Sequence, residues 1–210
     1  MILKQNQRIV FIGDSITDGG RKYPIGEGLW DAAGSGFVRM VDTFLAVDYP
    51  ELNIRVTNMG VSGNTSYDLL DRWEHDVSDL NPDIVVMCIG VNDVWRQFDS
   101  PASPDWAVTP KRFEINLNEM ADLTKAHMLW LTPYFLEVNL SDPMRARMDE
   151  YRAIMKKVAA ERGIDCIDLQ NEFDTYLQKR HSSFISWDRV HPGWVGSLII
   201  SRAILKYLTR

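Results

Sequence analysis

Five positions spread along the 210 residues have the types that serine-based acyl transfer requires. Ser15 closes the run Arg8-Ile9-Val10-Phe11-Ile12-Gly13-Asp14-Ser15, an apolar, partly β-branched segment that turns at glycine. A serine hydroxyl is a weak nucleophile and needs a base, a group to orient that base, and N–H donors for the oxyanion. His191 suits the base, because an imidazole of pKa ~6.5 can accept a proton near neutrality and return it to a leaving group. Asp188 stands three residues before it in Trp187-Asp188-Arg189-Val190-His191-Pro192. A tight loop there lets Asp188 meet Nδ1 while Nε2 faces Ser15. The proline after His191 pushes that backbone toward an extended form just ahead of a helix. Candidate oxyanion donors are the Ser15 amide, the Gly63 amide and the Asn92 side-chain NH₂.

These residues converge only if the elements before them share one sheet. The run ending at Gly13 reads as a buried strand, and ligands bind beyond the carboxyl ends of such strands in open α/β sheets. Strand signals recur at 54–59, 84–89, 128–131 and 164–169. Helical stripes lie between them, at Phe37 to Leu45, at Leu69 to Leu80, at Phe113 to Ala121 and at Met144 to Val158. The last helix is expected to open at Pro192. Strand and helix alternating at this spacing predict a parallel sheet with helices on both faces, in a single domain over 1–210. Two glycine- or proline-rich stretches, 18–36 and 94–109, read as long irregular loops. The first carries Tyr23, Glu27, Trp30 and Asp31 and is expected beside Ser15.

Composition narrows the partners. A net charge of −6 without a Lys/Arg-rich run excludes an electrostatic footprint for nucleic acid. No stretch approaches the ~18 apolar residues of a membrane span, and the N-terminus lacks a signal-peptide pattern, so a cytoplasmic location is expected. Cys88 and Cys166 sit in apolar runs and read as buried thiols. The turn Gly13 to Gly20 fits neither nucleotide-binding glycine pattern, and its aspartates would repel phosphate.

Gly13-Asp14-Ser15, the Gly63 turn, Gly90-Val91-Asn92-Asp93 and Asp188-Arg189-Val190-His191 resemble, in order, the blocks of the SGNH (GDSL-type) esterase superfamily. That resemblance implies a flavodoxin-like three-layer α/β/α sandwich with a central five-stranded parallel sheet, and no metal or cofactor. It implies Ser15 as nucleophile, His191 as base, Asp188 as its partner, and Ser15, Gly63 and Asn92 as the oxyanion hole. Phe11 to Asp18, Asn92 to Gln97 and Trp187 to Pro192 are most similar to the intracellular acetylxylan esterases. An acetylated carbohydrate substrate follows, with a lipid ester or thioester as the alternative. Asp14, Trp95 and Trp187 are the candidates for substrate contact, and Trp30 is a further ring that could stack on a sugar. Asp93 reads as a turn residue, and His75, His127 and His181 have no triad-like neighbour. Exposed aromatics leave a homo-oligomer open.

Overall fold

Ile9-Val10-Phe11-Ile12 and Ile84-Val85-Val86-Met87 are apolar at every position, which suits strands covered on both faces. In the computed structural model, which describes residues 2–99 and 107–210, they lie in β1 (Arg8–Gly13) and β3 (Ile84–Cys88). β2 (Arg55–Gly60), β4 (His127–Leu131) and β5 (Asp165–Ile167) complete a five-stranded sheet of order β2-β1-β3-β4-β5. Every pairing is parallel, with Gly13 in register with Gly60 on one side and Cys88 on the other. The chain moves outward from β1 to β2 and then crosses back to β3. A crevice opens where that direction reverses, between the carboxyl ends of β1 and β3.

Nine helices lie among the described residues: α1 (Ser15–Asp18), α2 (Phe37–Asp48), α3 (Ser66–Asp71), α4 (Trp73–Asp76), α5 (Val91–Asp99), α6 (Pro110–Leu123), α7 (Pro143–Arg162), α8 (Leu169–Leu177) and α9 (Trp194–Leu208). The sheet is sandwiched between helical layers, α2 packing on α9 and α6 on both α3 and α7. Side chains from β1, β3 and β4 are buried between those layers, together with Phe37, Phe113, Tyr151 and Ile204. No helix among the described residues is long and apolar enough to cross a membrane.

Several boundaries differ from expectation for physical reasons. The stripe from Leu69 to Leu80 is not one helix, because Arg72 leaves helical geometry (φ −100°, ψ 7°) between α3 and α4. The last strand is three residues long, and Leu169 already opens α8, capped by Asp168. The final helix starts at Trp194 behind Gly193, two residues after Pro192. Of the expected loop 94–109, residues up to Asp99 belong to α5, while Pro101, Pro104 and Trp106 lie outside the described residues. Cys88 is buried and Cys166 half-buried, both as free thiols.

The 18–36 segment divides. Its two ends stay near Ser15, but its middle runs antiparallel along β2, bridged at Gly26 to Asn58. There Glu27 accepts from Arg8, Arg55 and Thr57, at the opposite end of the sheet from Ser15. Burial opposes the Glu27 charge, yet the Thr57 and Arg55 bonds hold its carboxyl below the ordinary value.

Candidate active site

β1 delivers Ser15 as the first residue of the one-turn helix α1. Asp14 caps that helix, its Oδ1 accepting the Ile16 N–H at 2.9 Å. Gly19, left-handed at φ 53°, ends it and donates its N–H to the Ser15 carbonyl at 3.2 Å. Gly13 has to be glycine, because a Cβ would stand 2.2 Å from the Cys88 carbonyl oxygen.

Ser15 Oγ lies 2.8 Å from His191 Nε2, and His191 Nδ1 lies 2.6 Å from Asp188 Oδ2. The other oxygen of Asp188 accepts from the His191 N–H (2.8 Å), the Val190 N–H (2.9 Å) and Ser186 Oγ (2.9 Å). Burial works against the Asp188 charge, but the His191 ring and these N–H groups prevail and hold its carboxyl below the ordinary value. The three-residue spacing closes because Arg189 takes a left-handed conformation (φ 66°), while its guanidinium pairs with Glu137 at 2.7 Å. Buried Tyr134 fixes the same loop from below, donating to the Val190 carbonyl at 3.0 Å. Trp95 packs against the His191 ring, centroids 5.7 Å apart.

The donor side is built on the turn after β2. Gly63 is left-handed at φ 87°, and neither its N–H nor that of Ser15 has an acceptor among the described residues. Asn92 is buried in the first turn of α5 and donates from Nδ2 to the Asn64 carbonyl at 2.9 Å, leaving its second N–H free. Val61 N–H donates to the Gly13 carbonyl at 3.0 Å, tying the turn to the end of β1.

Two buried aspartates grip this turn. Asp18 Oδ2 accepts from the Ser62 N–H (3.1 Å), Ser62 Oγ (2.7 Å) and the Tyr23 hydroxyl (3.1 Å). Asp93 accepts the Ser66 N–H on both oxygens at 3.1 and 3.0 Å and takes Ser66 Oγ at 2.5 Å. Asn116 donates to the same Ser66 Oγ at 2.9 Å. Burial pushes the Asp93 carboxyl up to about 7, against the lowering effect of the Ser66 bonds. Arg72 completes the grip, donating to the carbonyls of Gly13 (3.0 Å) and Met59 (2.8 Å) and to Asn64 Oδ1 (2.7 Å).

Ser15, His191, Asp188, Gly63 and Asn92 are thus all at the carboxyl end of the sheet. Asp14 is not a substrate contact: its side chain is 1% exposed and turned inward to cap α1. Burial pushes its carboxyl up to about 7, against the Ile16 N–H that favours the charge. Trp187 is 89% exposed beside Asp188, and Trp30 is likewise open to solvent. His75, His127 and His181 do have partners, namely Asp79, Tyr207 and Ser183, but none of these forms a triad. Sequence alone does not single out Asp18, Asn58, Ser66, Arg72 or Asn116, and Asp93 does more than close a turn. Asn58 Nδ2 spans the Thr17 and Ala33 carbonyls at 2.7 and 2.9 Å, joining both ends of the 18–36 segment to β2. Among the described residues no group of His, Cys, Asp or Glu is arranged to hold a metal ion.

Nucleophile, base, orienting acid and free donors in this order form a constellation competent for acyl transfer. Comparison with known proteins agrees. Residues 11–197 match the GDSL-like lipase/acylhydrolase family. The chain is 42% identical over 209 residues to the acetylxylan esterase of Geobacillus stearothermophilus, covering 98% of this chain and 95% of that protein. A crystal structure of that esterase superposes with a TM-score of 0.95, covering 100% of this chain and 97% of the other. Catalytic mutants of the same esterase replace a serine, an aspartate or a histidine by alanine. An α/β hydrolase from the metagenome of Lake Arreo, Spain, is 45% identical with a TM-score of 0.95, covering 100% and 98% of the two chains.

Proposed function

Since the chain belongs to the GDSL-like lipase/acylhydrolase family, we propose that it is a serine esterase removing O-acetyl groups from carbohydrates, acetylated xylo-oligosaccharides in particular. The observation that carries this reading is the unbroken relay from Ser15 Oγ through His191 to Asp188, at 2.8 and 2.6 Å. In this reading Ser15 Oγ attacks the acetyl carbonyl carbon as His191 Nε2 takes its proton. The carbonyl oxygen becomes an oxyanion, held by the N–H groups of Ser15 and Gly63 and the free N–H of Asn92. When the C–O bond to the sugar breaks, His191 returns the proton to the departing oxygen and an acetyl-enzyme remains. His191 then deprotonates a water, which attacks the acetyl carbon. The second oxyanion collapses to release acetate and Ser15. Asp188 stays charged throughout, holding the imidazole tautomer and stabilising the imidazolium.

Trp95, on the His191 ring, and solvent-exposed Trp187 supply aromatic faces at the rim for sugar rings. The activity is assigned to a single cytoplasmic domain over residues 1–210 without a nucleic-acid partner.

The test is acetate release from acetylated xylo-oligosaccharides, beside nitrophenyl acetate and octanoate. Ser15→Ala should lower kcat by on the order of 10⁶. Near-normal turnover by that variant would exclude Ser15 as nucleophile. Preference for the octanoate would move the substrate class to lipid esters while leaving the triad standing.

A further inference from the structure

A hollow of about 260 Å³ adjoins the nucleophile, with Gly63 outside its walls. Ser15 and His191 both border it, and its remaining walls include Gly19, Gly36, Gly193 and Trp194, whereas neither Gly63 nor Asn92 reaches it. We infer that this hollow is the subsite for the sugar ring whose oxygen leaves, with Ser35 and Trp194 as residues that set alcohol specificity. The inference rests on the esterase reading above and adds to it the side of Ser15 on which the glycan lies.

Stereochemistry fixes that side. The tetrahedral carbon carries Ser15 Oγ, the oxyanion, the methyl group and the departing oxygen. The oxyanion points at the Gly63 and Asn92 donors. The departing oxygen must receive its proton from His191 Nε2, so it lies on the His191 side. A hollow bounded by Ser15 and His191 but by neither donor therefore faces the alcohol.

The walls suit a hydroxylated ring better than an alkyl chain. Gly36 and Gly193 precede α2 and α9, no side chain caps either helix, and Trp194, which carries the first N–H of α9, lines the hollow. Ser35 and Ser197 also border the space; their hydroxyls donate to the Gly19 and Pro192 carbonyls at 3.0 and 3.4 Å, which leaves oxygen lone pairs to accept from a sugar hydroxyl. An alkyl chain lodged here would strip water from these polar groups without replacing it. Trp194 is 71% exposed and offers a flat apolar face for the C–H side of a ring. The small volume fits a single ring, with further rings of an oligosaccharide outside it at the rim.

Ser35→Leu and Trp194→Ala test the assignment, because both side chains are exposed and neither hydrogen-bonds to Ser15. Two ratios of kcat/KM are read. The first sets acetylated xylo-oligosaccharide against ethyl acetate, whose alcohol is too small to fill the hollow. The second sets nitrophenyl butyrate against nitrophenyl acetate, which varies only the acyl group. The first ratio should fall about tenfold for Ser35→Leu and about threefold to tenfold for Trp194→Ala, with the second ratio constant. A changed butyrate ratio beside a constant sugar ratio would place the acyl group in the hollow and overturn the inference. Constancy of both would overturn it as well. If the wild type cannot deacetylate the oligosaccharide at all, the proposed substrate fails. Cyclohexyl acetate against ethyl acetate then replaces the first ratio, and the hollow stands or falls on the same change.

Discussion

On the Gly63 side of Ser15, buried polar side chains hold the backbone at almost every step; on the Gly193 side, glycine presents it bare. The turn from Val61 to Ser66 is bonded in succession to Gly13, Asp18, Asn92, Arg72 and Asp93. The other hollow has Gly19, Gly36 and Gly193 among its walls, between the small side chains of Ser35 and Ser197, with Ile16, Pro192 and exposed Trp194 beside them. The contrast matches two different tasks. Oxyanion donors act through positions fixed to within about 0.5 Å before the substrate arrives. A leaving-group subsite needs room and exchangeable hydrogen-bonding groups instead. Buried carboxylates on one side, and glycines with small or exposed side chains on the other, are the two corresponding means.

The sharpest way to break this contrast is to remove a donor itself. Asn92→Ala should reduce kcat by about 10²–10³ with little change in KM. It also frees the Asn64 carbonyl, so a boronic-acid analogue of the tetrahedral state should lose affinity in parallel. Full analogue affinity with reduced kcat would remove Asn92 from the oxyanion hole.

Next come the residues that grip the turn. Asp18→Asn replaces one acceptor oxygen by an NH₂ facing donors, since Gly20 and Arg21 N–H groups already occupy Oδ1 and Ser62 with Tyr23 occupies Oδ2. A turn shifted by a fraction of an ångström should lower kcat by up to about 10²-fold. Asp93→Asn keeps one acceptor for the Ser66 N–H and should lose less, about tenfold. In both variants kcat and analogue binding should fall together, while the butyrate-to-acetate ratio stays constant. A fall in thermal stability with unchanged kcat would make these aspartates ordinary structural groups.

The sequence exposes one of these sides far better than the other. Ser15, Asp188 and His191 stand out because an apolar strand ends at the first and three residues separate the other two. The grip on the Gly63 turn is assembled across elements, and its members are ordinary polar types in ordinary places. Asp18 reads as a loop residue until β1 and β2 pair and bring it to Ser62. Arg72 reads as a solvated helix position, yet it interrupts the stripe from Leu69 to reach the Gly13 and Met59 carbonyls. Asp14 misleads in the other direction. Adjacency to Ser15 suggests the substrate, whereas the demand for an N-cap turns its carboxylate inward. Helix α8 escapes notice because its apolar residues Leu169, Phe173 and Leu177 follow directly on the short strand β5, so the switch in period has no glycine or proline to mark it.

Asp14 also yields the smallest of the expected effects, on stability rather than rate. It belongs with Asp93 among the charges buried on the donor side, and burial pushes both carboxyls up to about 7. A folded-state pKa above the unfolded one means that the native protein binds the extra proton between about pH 4 and 7. The stabilising contribution is complete below the unfolded pKa and is lost as pH rises through the folded value. Asp188 contributes with the opposite sign, because its lowered pKa makes stability fall as pH drops through that value. Comparing a variant with the wild type isolates the Asp14 part. Asp14→Asn keeps an oxygen for the Ile16 N–H but cannot ionise. Its Tm advantage over the wild type should grow from pH 5 to pH 8 by about 4–8 °C, the response of a chain this size to ~2 kcal/mol. Parallel Tm profiles across that range would show that the Asp14 carboxyl does not titrate there. Of the two carboxyls pushed up by burial, Asp93 would then be the one that titrates in this range.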